Sequence, residues 1–255
     1  MRTNSTKAKL NSGEVVFGAI IGRYAPDLVE LFGAIGYDFV MIDCEHGPMN
    51  LDQVEHMVRA AEVFGITPIT RIPDHSDSTI LRYLDRGVQG IIVPHVNTRE
   101  EADAVARAAR YYPDGHRGVG GGRAHNYGIG VSRDESTRHV NAEILVIPMV
   151  EDTEAVENLD GILSVPGVDV LHVASGDLGQ SMGNPGQAEV RRLMSEVIPR
   201  IRAGGKLVGV GGNSPADAEG VAQFIKLGAN FVTISALGLL RLGADDFRNR
   251  VQAAL

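Results

Sequence analysis

Phe39-Val40-Met41-Ile42-Asp43-Cys44-Glu45-His46-Gly47-Pro48 is the stretch from which the rest of the chain is read. Its first four residues are an unbroken apolar run, the pattern of a parallel strand covered on both faces. Two acids and a histidine follow at once. Ionisable groups at the carboxyl end of a buried strand add little to stability and are well placed for chemistry. In α/β barrels the active site is built at that end of the strands.

Working outward, seven more apolar runs resemble the first. With Phe39–Asp43 they give eight expected strands: Val15–Ile21, Thr67–Ile72, Gly90–Pro94, Ile144–Val150, Val168–Val173, Leu207–Gly211 and Phe231–Ser235 complete the set. Amphipathic segments with helix signals lie between them. Thr98-Arg99-Glu100-Glu101 is a capping box. Ser214-Pro215-Ala216-Asp217 offers a cap, a proline at the first helical position and an acid in the first turn. Gly87, Gly228 and the Gly204-Gly205 pair stand where helices should stop. The expected fold is α/β: a single (β/α)8 TIM barrel over residues 1–255, with a final helix near 239–255. A doubly wound open sheet is the alternative, because strand count alone does not prove closure. Pro113 to Ala142 breaks the rhythm. It is expected to be a long loop, rich in glycine from Gly115 to Gly122, that serves as a lid or an interface.

The chain has 255 residues, 44% of them hydrophobic, enough for one large core. A net charge of -8 and a pI near 5.5 argue against nucleic acid as a partner. No apolar stretch approaches a membrane span, and residues 1–13 lack an apolar signal core, so no membrane partner is expected. The single cysteine, Cys44, fits a reducing cytoplasm.

Each strand end carries candidates. Asp43, Glu45 and His46 follow the second strand, Arg71 ends the third, Glu151 follows the fifth and Asp177 the sixth. Barrel closure would bring them to one mouth. Acids that close raise each other's pKa unless a cation lies between them, and oxygen-only ligation suits Mg²⁺ or Mn²⁺. Each residue also has an ordinary reading. Asp43 and Glu45 can form a structural ion network with Arg71, Glu151 can open a helix, and Asp177 can sit in a turn. The other histidines, His95 and His172 among them, receive no role.

In their order along the chain, six segments resemble the HpcH/HpaI family of class II, metal-dependent pyruvate aldolases. They are Asp43-Cys44-Glu45-His46-Gly47-Pro48, Arg71-Ile72-Pro73, Leu84-Asp85-Arg86-Gly87, Arg117-Gly118-Val119-Gly120, Met149-Val150-Glu151 and Gly176-Asp177-Leu178. The resemblance implies a divalent cation (Mg²⁺, Mn²⁺ or Co²⁺) held by Glu151 and Asp177. It implies His46 as catalytic base, with Asp85 as the acid that pairs with it. Arg71 would lie on the oxo acid, and Ser175, Gly176 and Asp177 would receive its carboxylate. Asp43 and Glu45 would surround the cation's water.

The implied reaction is reversible cleavage of a 4-hydroxy-2-oxo acid to pyruvate and an aldehyde, through an enolate. The substrate would be a dicarboxylate from aromatic breakdown or a deoxy sugar acid. A homo-trimer or homo-hexamer with exchanged C-terminal helices is implied as well. Alternatives are a CoA-ester lyase or phosphonopyruvate-type enzyme using the same enolate, or a non-catalytic 2-oxo-acid-binding barrel. The chain departs from the family pattern at Met149, where glutamine is common, and at Ala174-Ser175-Gly176. It departs again at Ile20-Ile21-Gly22-Arg23, where an aromatic is common; Arg23 is read as an exposed loop arginine.

Overall fold

The computed structural model describes residues 2–255. Eight parallel strands pair in sequence order: β1 (Val16–Ile21), β2 (Phe39–Asp43), β3 (Thr67–Arg71), β4 (Gly90–Val93), β5 (Leu145–Val150), β6 (Val170–Ala174), β7 (Leu207–Gly211) and β8 (Phe231–Ser235). β8 pairs back onto β1, Val16 against Phe231 and Ile20 against Ser235, so the sheet is a closed barrel and not an open one.

The helices are α1 (Ser5–Asn11), α2 (Pro26–Ala34), α3 (Leu51–Phe64), α4 (Asp77–Leu84), α5 (Arg99–Ala108), α6 (Arg133–Glu143), α7 (Thr153–Glu157), α8 (Leu159–Leu163), α9 (Ser175–Ser181), α10 (Gln187–Ala203), α11 (Ala218–Lys226) and α12 (Ala236–Ala253). A helix that follows a strand starts at the strand's carboxyl end, the mouth, and runs back to its amino end, the floor. This direction decides which residues can share a site.

The continuous apolar runs are explained by burial on both faces. Phe39, Met41, Ile69, Ile147 and Phe231 fill the barrel interior, where the Phe39 and Phe231 rings stack with centroids 4.2 Å apart. Leu10 of α1 joins this inner core and closes the floor. Val40, Ile42, Ile91 and Val146 face the surrounding helices instead. Alternation along β2 and β3 therefore turns Asp43 and Arg71 inward, in phase with Met41 and Ile69.

Several expected boundaries move. β6 starts at Val170, because Gly167 adopts a left-handed turn and Val168 and Asp169 complete the loop. Asp217, not Ser214, caps α11: its side chain accepts from Gly220 N, while Ser214 only begins a turn. The long connection is not all loop. Ser132 and Glu135 form a capping box that starts α6, preceded by an irregular 3₁₀ segment at Arg123–Gly128. α12 begins at Ala236, which is its only buried residue; Leu240 and Phe247 stand exposed. Among the described residues, no helix is long and apolar enough to cross a membrane.

Candidate active site

The quoted stretch makes a sharp turn at the mouth. Asp43 Oδ1 accepts the backbone N–H groups of Glu45 and His46, each at 3.3 Å, which folds the chain back over the strand end. Gly47 is required there, because a Cβ would collide with the Asp43 carbonyl oxygen. The turn leaves His46 at the rim with its side chain 65% exposed and Nε2 3.9 Å from Glu45.

Arg71 occupies the corner between β2 and β3. Its Nε and Nη2 donate to the two oxygens of Asp43 at 3.0 and 2.7 Å, a bidentate fork. Nη1 lies 3.1 Å from Glu45 Oε2, an ion-pair contact without hydrogen-bond alignment. The ion network expected of Asp43, Glu45 and Arg71 is therefore present. It does not exhaust the guanidinium, whose five N–H donors leave some free for a substrate. Burial works to raise the Asp43 carboxyl, and the hydrogen bonds and charge of Arg71 outweigh it, so the group stays below its ordinary range.

Glu151 follows β5 and is almost fully buried, its side chain 1% exposed. Burial pushes its pKa up to about 7. The His95 N–H, donating to Oε1 at 2.8 Å, works against that rise, and the charges of Glu45 and Asp177 add to it. Asp177 stands in the first turn of α9, exposed beside Ser175 and Gly176, whose N–H groups the helix itself cannot use. Ser175 Oγ donates to the Gly211 carbonyl at 3.2 Å.

His95 was given no role by its sequence, yet it belongs here. It lies two residues beyond β4 in a left-handed conformation (φ 52°), and its Nδ1 is 3.0 Å from Asp152 Oδ2 and 3.5 Å from Glu151 Oε1. The hydrogen bond to Asp152 leads in raising its pKa, against burial. The strand-end rule that selected Glu151 would have found it.

Under the mouth, His172 is fully buried and neutral. Burial, aided by the charge of Arg71, lowers its pKa to about 3. Its Nε2 meets Thr233 Oγ1 at 3.3 Å, and its ring lies against β7, where a Cβ on Gly209 would collide with Nδ1.

The fold does not unite every candidate. Asp85 is the C-cap of α4, on the floor of the barrel, whereas His46 is at the mouth, so within one chain the two do not pair. Asp85 instead accepts from Arg117 Nη2 at 2.7 Å, and the Arg117 guanidinium lies 4.7 Å above the Tyr111 ring. The glycine-rich segment thus packs beneath the barrel and is not a lid over its own mouth.

Glu151 and Asp177 supply only oxygen donors. Glu151 is a buried acid whose ionised form, among the described residues, no cationic side chain pairs apart from the flanking imidazole of His95. That environment suits a divalent cation. Among the described residues no three or more His, Cys, Asp or Glu side chains form a complete cage, so substrate and water would fill the remaining positions, as suits Mg²⁺.

Comparison with known proteins shows the family. The HpcH/HpaI aldolase/citrate lyase family model matches residues 21–241, and the chain belongs to that family. A 4-hydroxy-2-oxovalerate aldolase from Novosphingobium aromaticivorans is 36% identical over 236 residues, 90% of this chain and 87% of the relative. A 2-keto-3-deoxy-L-rhamnonate aldolase from Shigella sonnei (strain Ss046) is 35% identical over 257 residues, 96% of this chain and 92% of the relative. Among solved structures, the citrate synthase SbnG superposes with a TM-score of 0.86 at 31% identity, covering 99% of both chains.

Proposed function

We propose that this chain is a metal-dependent aldolase that reversibly cleaves a 4-hydroxy-2-oxo acid to pyruvate and an aldehyde. The observation that carries the reading is Glu151: a buried carboxylate at the mouth, oriented by the His95 N–H and close enough to Asp177 to feel its charge. A divalent cation held by these two acids would act as a Lewis acid on the keto oxygen.

The chain's own groups do the rest. Ser175 and Gly176 present backbone N–H groups to the substrate carboxylate. His46, at the open rim, takes the proton of the 4-hydroxyl as the carbon–carbon bond breaks and the aldehyde leaves. Arg71, held by Asp43, aims its remaining N–H groups at the oxygen where enolate charge develops. A proton from solvent water on the enolate carbon gives pyruvate, and His46 returns the proton it took to solvent.

Assembly as a homo-trimer or homo-hexamer is part of the same proposal. α12 carries exposed apolar residues that its own barrel does not cover. Asp85 on the floor can meet a His46 only where one copy's floor faces another copy's mouth. A cytoplasmic location is also proposed. It is supported by the single cysteine, Cys44, which is free.

The test is loss of pyruvate methyl protons in deuterated water, followed by NMR with Mg²⁺, Mn²⁺ or Co²⁺. Exchange that needs the cation, stops with chelator and is abolished in Glu151→Gln is the expected result. Pyruvate binding without exchange, with any of the three cations, would overturn the aldolase reading in favour of a non-catalytic binder.

A further inference from the structure

We propose that His95 selects the acceptor: with Nδ1 committed to Asp152, its Nε2 receives the hydroxyl next to the carbonyl of a short, neutral, hydroxylated aldehyde. This rests on the aldolase reading and adds a substrate class to it.

Three observations carry the proposal. First, the position is built. A histidine in the left-handed region is uncommon, and such strain persists where surrounding contacts hold it. Here the backbone N–H is fixed on Glu151 Oε1 at 2.8 Å and the ring on Asp152 Oδ2 at 3.0 Å. Second, the ring is anchored on one side only. With Nδ1 held by a carboxylate, Nε2 is on the far side of the ring and has no partner among the described residues. The side chain is 58% exposed beside the cation-ligating acids. A substrate seated at Glu151 would lie beside this ring, whose backbone N–H donates to the same carboxylate. Third, the charge of the mouth disfavours an acidic acceptor. Asp43, Glu45, Glu151, Asp152 and Asp177 outnumber Arg71 even with a divalent cation added, and pyruvate brings a further carboxylate. A hydroxyl can give or take a hydrogen bond with Nε2 at no electrostatic cost. A second substrate carboxylate adds repulsion. Arg23, exposed after β1, is the cation that would favour such a carboxylate, so the test includes one.

In the addition direction, the enolate carbon of pyruvate attacks the aldehyde carbon. The new carbon–carbon bond forms as the carbonyl π bond opens, and the resulting oxygen takes a proton. Nε2 touches the neighbouring hydroxyl and not the reacting atoms, so His95 is a positioning residue. Its loss is expected to appear in KM for the hydroxylated aldehyde.

The experiment measures aldol addition of pyruvate to glycolaldehyde, acetaldehyde and succinic semialdehyde. It uses the full chain and its His95→Gly and His95→Gln variants, with Mn²⁺ affinity read by EPR on each. Glycine accepts the left-handed backbone and removes the ring; glutamine restores a polar atom at similar reach. The wild type is expected to favour glycolaldehyde over acetaldehyde. In His95→Gly the ratio of the two KM values should fall by about five- to tenfold, the scale of one hydrogen bond, and His95→Gln should recover part of it. A ratio unchanged in both variants, or a wild-type preference for succinic semialdehyde, would overturn the proposal and leave the aldolase reading intact. Absence of addition and of pyruvate exchange in the wild type would overturn both.

Discussion

The Glu151 carboxyl is a proton site and a cation site at once, and the two uses compete. Its pKa is raised from an ordinary 4.5 to about 7, so the cation-free fold favours the protonated acid. That contribution is fully present below pH 4.5 and is lost as pH rises through about 7. Cation binding needs the carboxylate and runs the other way, so affinity should climb through the same window and level off above it. Thermal melts from pH 5 to 8 with and without Mn²⁺ are expected to show slopes of opposite sign there; parallel slopes would argue against Glu151 as a ligand. Much at this scale was legible in sequence. His46, Arg71, Glu151 and Asp177 each stand at a strand's carboxyl end, and closure brings those ends to one mouth. His95 was passed over for want of a partner, because its partner Asp152 belongs to the next strand's loop and only the fold brings them together. The distance between Asp85 and His46 within one chain was hidden, because similarity of segments says nothing about which end of a helix a residue occupies.

Among the elements, the strands were easiest to read. Burial on both faces removes alternation and leaves runs such as Phe39–Ile42. α6 was hidden because its exposed, charged sequence has almost no apolar stripe; only the Ser132–Glu135 box marked it. The pairing of β6 with β7 was also invisible in its detail. His172 lies directly opposite Gly209 in the ladder, and its ring fills the space a β7 side chain would take. Gly209→Ala is therefore expected to destabilise the protein by about 1–3 kcal/mol in urea unfolding, as overpacked cores do. Adding His172→Ala should return part of that loss. If the double variant is no more stable than the single, the two residues are not in competition for that space.

For the whole molecule, the opposite placement of Asp85 and His46 makes a specific demand. If one copy's floor completes another's mouth, His46→Ala and Asp85→Ala proteins, each impaired alone, should regain cleavage of a 4-hydroxy-2-oxo acid when refolded together, because mixed assemblies contain interfaces with both wild-type residues. No gain on mixing would mean that Asp85 serves only to hold Arg117 and the glycine-rich segment. The barrel's closure has another consequence, in the order of synthesis. β1 leaves the ribosome well before its neighbour β8, with six strands between them in the chain. At ordinary translation speeds the two are separated by roughly 10–40 s. For that time the nascent sheet has open edges and no finished interior, so a factor that shields those edges during translation is expected to raise the yield of this protein.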